Sequence, residues 1–192
     1  MIQVNSLHYN HPASGRFTRS HTLTPHDAVT IFCIVDWHNE SSVSIIEDHI
    51  LENISSTEWN IKELSQDFSY LTEHYNNFIK SFDEDDITSI KVLIAMLEWD
   101  NLTLATIGGT YGTLIEKNWS ITDISVHENK YHEFHSVSSG KIANGATVYL
   151  ASGNLEQILW VEILEELSQL EPSVWVETTT NLNVSYPAYP KK

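Results

Sequence analysis

The sequence predicts an α+β domain with mainly antiparallel sheets and helices packed outside them. Three observations carry this expectation. Apolar residues step by 3 or 4 through residues 43–54 and again through 61–82, as they do along helix faces. Beyond residue 89 the period changes to that of strands, and short polar turns separate the runs. One more helical stripe then follows a last buried strand, so helices cluster between strands that pair through hairpins.

In chain order, "IQVNSLHY" alternates apolar and polar residues and reads as a strand, and "NHPASGRFTRSHTLTPHD" reads as a loop. Val29 to Val35 is a nearly continuous apolar run of the kind buried on both faces, ending at Asp36. "NESS" then offers N-cap side chains for a helix whose apolar face is Val43, Ile46, Ile50 and Ile54. Ile61, Leu64, Phe68, Leu71, Tyr75, Phe78 and Phe82 form a second helical stripe, read as a core face. The acidic run "DEDD" at 83–86 breaks that pattern. It lacks the Gly and terminal Glu of a calcium loop and reads as a solvated linker.

"SIKVLIAMLEWD" and "NLTLATIGG" flank an Asp100-Asn101 turn, and "YGTLIEKN" and "WSITDISV" flank Lys117-Asn118, giving two hairpins. The glycine-rich "IGGTYG" lacks the Lys and Ser/Thr of a phosphate-binding loop and reads as a hairpin turn. A polar stretch, "HENKYHEFHSVSSGKIANG", precedes the buried strand "ATVYLAS". A helix carrying Leu155, Ile158, Leu159, Ile163, Leu167 and Leu170 runs to Pro172, and "NLNVSY" closes as a strand. Residues 1–186 are expected to form one domain and 187–192 a loose tail. Most Trp and Tyr residues lie in these stripes and are expected in the core.

The 192 residues, 41% of them hydrophobic, suit one domain with a sizeable core. Ten Lys and Arg against 26 Asp and Glu give a formal charge of -16 at pH 7. That field repels phosphate backbones and anionic lipid, so nucleic acid and membrane surfaces are not expected partners. No stretch approaches the ~18 apolar residues of a membrane span, and the first residues do not read as a signal peptide. The single cysteine, Cys33, has no partner for an internal disulfide, which points to a reduced, cytoplasmic setting. The sequons "NES" and "NIS" are then chance in an Asn-rich chain.

Five stretches, in order and spacing, resemble the PPM-type metal-dependent serine/threonine protein phosphatases in their compact bacterial form. "GRFTRSH" stands where that family has a Gly-x-Arg-x-x-Asn-x-Asp segment, and "IVDWHNESSVSIIEDHI" is similar to its strand ending in Asp-Gly-His-Gly or Asp-Gly-Met-Gly and the helix after it. "LTLATIGGTYGTLIEKN" resembles the hairpin leading into Gly-Asp-Ser-Arg. "IANGATVYLASGNLEQIL" resembles the Gly-Asp turn and strand closing in Ala-Ser-Asp-Gly, and "TNLNVSY" echoes the final Asp-Asn. The resemblance implies a four-layer sandwich: two β-sheets face to face, flanked by helices on both sides.

It also implies a site. Such phosphatases use two divalent ions that activate a bridging water. Two dications roughly 4 Å apart repel by on the order of 16 kcal/mol at an effective dielectric of about 20, so several carboxylates must offset them. Carried over position by position, those carboxylates are mostly missing. The N-terminal aspartate position falls on His21. Asp36 keeps the central aspartate, but the glycine after it is Trp37. The aspartates of the later motifs fall on Gly109, on Gly153 (followed by Asn154), and on Thr180 or Asn181. One carboxylate, Asp36, faces a charge of +4. Arg16 matches the arginine that grips substrate phosphate in the family, so phosphate or anion binding is a property this chain can keep without metal.

His21 and His38 are the neutral ligands that could hold one transition ion with Asp36. The family pattern favours the plainer reading, with His38 in the family's own His position and His21 in a loop. His127, His132 and His135 match no metal-ligand spacing, and Cys33, mid-strand, lacks the setting of a nucleophile. The leading expectation is a catalytically inactive phosphatase-like domain, with no cofactor, that works by binding a protein: a kinase, a phosphoprotein or a copy of itself. The alternatives are a divergent phosphoprotein phosphatase with one rebuilt metal site, for which manganese or magnesium would be the ion if active, and a convergent, unrelated α+β interaction domain.

Overall fold

The computed structural model describes residues 17–60, 63–82, 90–108, 110–118, 120–124 and 134–152. Eight strands and two helices lie among them: β1 (Phe17–His26), β2 (Val29–Trp37), α1 (Glu40–Ser56), α2 (Leu64–Ile79), β3 (Lys91–Glu98), β4 (Asn101–Ile107), β5 (Thr110–Ile115), β6 (Ile121–Asp123), β7 (His135–Lys141) and β8 (Thr147–Ser152). They build one five-stranded sheet, ordered β1-β2-β3-β4-β7, and one three-stranded sheet, ordered β6-β5-β8. Every pairing is antiparallel.

The strand β2 decides how the layers stack. Val29, Ile31, Cys33, Val35 and Trp37 are buried in a core shared with α1 and α2. Phe32 and Ile34, on the other face, pack into a second core with Leu93, Ala95, Leu97, Leu102 and Leu104. Partly buried Ile124, Val148 and Leu150 join that second core from the smaller sheet's side. A central strand buried on both faces has no need of polar alternation, which is why residues 29–35 read as one apolar run.

Both helices form where the spacing predicts. Asn39 caps α1, its side chain accepting a bond from the Ser42 backbone N–H at 3.1 Å. Val43, Ile46, Ile50 and Ile54 are each at most 1% exposed. In α2, Phe68, Leu71 and Tyr75 are buried as expected, and Ile79 joins them. The Tyr75 hydroxyl donates to the Ile50 carbonyl at 2.8 Å and ties the helices together.

The structure departs from the sequence expectations in five places. The segment expected as a loop over 10–27 contains the ten-residue strand β1. It lies at the edge of its sheet, half-buried except at the exposed Thr22 and Thr24, so it needs backbone pairing and β-branched Thr rather than an apolar run. The polar stretch before β8 hides another edge strand, β7, for the same reason. The first hairpin turns at Trp99-Asp100, one residue earlier than expected, with Glu98 opposite Asn101.

The fourth departure is at "IGGTYG". This stretch joins β4 of one sheet to β5 of the other, so it is a sheet-to-sheet crossing and not a hairpin. Gly108 makes the corner possible: its φ is +73°, and a Cβ there would overlap the Ile90 carbonyl oxygen. Last, Trp99 and Tyr70 are 68% and 72% exposed instead of lying in the core. The expected strands at either end, the DEDD run, the helix from Leu155 and the tail at 187–192 lie outside the described residues.

Candidate functional site

The site is built at the end of the five-stranded sheet where β2 delivers Asp36. Side chains alternate across a strand, so Asp36 shares a face with Ile34 and Phe32 and looks between the two sheets. It is fully buried, at 0% exposure. Its ladder partners are Thr18 on β1 and Lys91 on β3. Directly opposed residues of an antiparallel pair project on one face, their Cβ atoms about 4.5–5.5 Å apart. Thr18 Oγ1 donates to the Asp36 carboxylate at 3.3 Å. Lys91 is half-buried, and its Cγ comes within 3.2 Å of where a Cβ on Gly108 would stand.

One row further in, Thr106 lies opposite Leu93 on the same face. It is 1% exposed, and its hydroxyl finds no hydrogen-bond partner among the described residues. The floor of the site is therefore a carboxylate flanked by a hydroxyl and by the aliphatic stem of a lysine, with a second hydroxyl behind.

Trp37 points the other way. It is 1% exposed, its ring edge-on to Phe82 at 5.9 Å and to His38 at 5.3 Å. An indole at the family's glycine position is thus a core residue on the helix side. His38 itself is exposed.

His21 also lies on the helix side. It pairs with Cys33, an odd number of residues from Asp36, and so projects on the opposite face of the sheet. Its Nε2 meets the Glu47 carboxylate of α1, which also lies 3.9 Å from Arg19 Nε. Arg19 reaches Glu40 at 3.4 Å as well. This cluster staples β1 to α1. Asp36, His21 and His38 are not brought together, and among the described residues no three His, Cys, Asp or Glu side chains converge as metal ligands would. Arg16, Gly109, Gly153, Asn154 and Asn181 lie outside the described residues.

Sequence reasoning passed over Thr18 and Lys91, the two flanks of the carboxylate. Lys91 had one faint signal, a lysine opening the otherwise apolar run "KVLIAMLE". A pair of magnesium or manganese ions does not suit this described surround. A hydroxyl is a weak ligand and a lysine carries no negative charge, so neither neighbour offsets the ions' charge as a second carboxylate would.

No family model and no curated protein matches the sequence. Solved structures do match. The PP2C phosphatase domain of SpoIIE from Bacillus subtilis superposes with a TM-score of 0.61 at 9% identity, over 88% of this chain and 53% of that one. This chain thus spans about half the length of that structure. PppA, a regulatory component of T6SS in Pseudomonas aeruginosa, gives 0.60 at 10% identity over 88% and 90%. The catalytic domain of the serine/threonine phosphatase PstP of Mycobacterium tuberculosis, solved with two manganese ions, gives 0.54 at 12% identity over 88% and 91%. Two facing antiparallel sheets with a helix layer define an α+β sandwich of the phosphatase type. The chain has the PPM-type serine/threonine phosphatase fold.

Proposed function

We propose that this chain is a catalytically inactive PPM phosphatase-like domain that serves as a protein-binding or regulatory module. The observation that carries the reading is the surround of Asp36: Thr18 on one side and Lys91 on the other, across the ladder of the strand that should hold the metals. Where a metal pair needs further carboxylates, the two ladder neighbours of Asp36 supply a hydroxyl and a basic side chain, and neither adds the negative charge that would offset +4. The losses at Gly109, Gly153 and Asn181 point the same way. Its partner class is a kinase or a phosphorylated protein, and Arg16 keeps the chemistry to grip a phosphate. A reduced, cytoplasmic setting agrees with the buried thiol of Cys33. Among the described residues no helix is long and apolar enough to cross a membrane.

Purified protein is to be incubated with p-nitrophenyl phosphate and a phosphopeptide, each with manganese or magnesium. No metal-dependent hydrolysis is expected. Turnover that disappears in Asp36→Ala would overturn the reading. Elemental analysis of untreated protein adds a second arm, in which a stoichiometric transition metal lost on His21→Ala would establish the rebuilt single-metal enzyme instead.

A further inference from the structure

At the end of the large sheet away from Asp36, the turn between β3 and β4 carries Trp99 in an arrangement that the fold itself does not use. Its indole is 68% exposed, so it adds almost no packing. Its backbone sits at φ 53°, a conformation that Gly or Asn adopts readily and a bulky residue adopts at a cost. The turn is held on both sides. The Trp99 N–H donates to the Ala28 carbonyl at 3.2 Å, joining it to the β1–β2 turn, and the Ile142 N–H donates to the Asp100 carbonyl at 2.6 Å. The backbone of the turn is therefore held, and it presents a large apolar side chain to solvent.

Its surround is acidic. Asp27 is exposed in the adjoining turn, Glu98 precedes Trp99, and Asp100 follows it with its carboxylate 3.6 Å from Lys141 Nζ. The whole chain carries a formal charge of -16. A second copy of so acidic a chain is repelled from this tip, whereas a cationic segment is drawn to it. We infer that the Trp99 tip is a docking point for a basic, arginine-bearing polypeptide segment of a partner protein. The guanidinium stacks on the indole face while Asp27 and Glu98 hold its charge and Asp100 offsets the neighbouring Lys141. Arginine fits better than lysine because its planar, weakly hydrated head stacks on aromatic rings. The tip lies at the other end of the sheet from Asp36, so the inference stands whether or not that site turns over phosphate.

The test is fluorescence anisotropy of a labelled Arg-Gly-Arg-Gly-Arg-Gly peptide titrated with the full chain at ~0.15 M salt. Its Lys-Gly counterpart is titrated alongside. Binding of the arginine peptide is expected to be several-fold tighter than that of the lysine peptide, and to weaken about tenfold or more in Trp99→Gly. Glycine accepts the turn's backbone conformation, so Trp99→Gly should melt no lower than the parent, which separates lost docking from lost folding. Asp27→Asn with Asp100→Asn should weaken binding and flatten its salt dependence. The inference is overturned if the arginine peptide does not bind, or if Trp99→Gly binds it as tightly as the parent. Equal binding of both peptides, governed by salt alone, would equally overturn it as diffuse attraction to an acidic surface.

Discussion

Asp36 and Lys91 lie directly opposite each other on β2 and β3, a carboxylate and an ammonium-bearing side chain on one face of the sheet. The carboxylate is buried and the lysine half-buried. Opposite charges placed so across a ladder are worth about 0.2–1 kcal/mol. Lys91→Met is expected to lower stability by about that amount in urea unfolding. If Lys91 stands in for metal charge, the variant alone should also gain thermal stability on adding magnesium. A gain in the parent protein of equal size would contradict the role given to Lys91.

Gly108 turns the chain from one sheet to the other with a positive φ, against the Ile90 carbonyl. Gly108→Ala adds both backbone strain and a steric overlap, so a loss of roughly 1–3 kcal/mol is expected in chemical denaturation. An unchanged midpoint would show that the corner can open.

His49 of α1 lies with its ring stacked on Phe78 at 3.8 Å and on His74 at 5.3 Å, and Tyr75 stands edge-on at 6.0 Å. Its Nε2 is buried without a hydrogen-bond partner among the described residues. Burial, and then the neighbouring His74, push its pKa below the usual 6.5, while Glu52 on the same helix pulls weakly upward. The folded state thus favours neutral His49, and the unfolded chain binds its proton more readily. This contribution to stability is complete above about pH 6.5 and is lost as pH falls through the lowered value. Melting scans from pH 7.5 to 5 should show a decline that is shallower in His49→Phe; parallel curves would refute it.

Cys33 is 2% exposed in β2, and its thiol is pushed up to about 12 by burial and then by the nearby Glu47 carboxylate. Only the thiolate reacts. Native protein at pH 8 should leave a disulfide reagent uncoloured for hours, and unfolding in urea should release one thiol per chain. Rapid reaction of the folded protein would show that the strand opens.

Much of this architecture is legible without coordinates. The spacing of Val43, Ile46, Ile50 and Ile54 marks a helix face because 3.6 residues per turn is a local property. The run from Val29 marks a strand buried on both sides, and Asp36 stands out as a charge at its end. The edge strands β1 and β7 were not legible as strands, since an edge is stabilised by pairing rather than by apolar content. Counting from Arg16 puts His21 at a metal-ligand position of the family, yet the ladder turns His21 toward α1 and Glu47.

The sequence alone thus determined the helices, the central strands, the acidity and the single carboxylate presented at residue 36. Tertiary structure alone decided that Thr18 and Lys91 flank that carboxylate, that His21 faces away from it, that Gly108 joins two sheets, and that Trp99 stands in solvent. The physical reason is register: side chains alternate with period two, so a shift of one residue between strands far apart in the chain exchanges every neighbour on both faces.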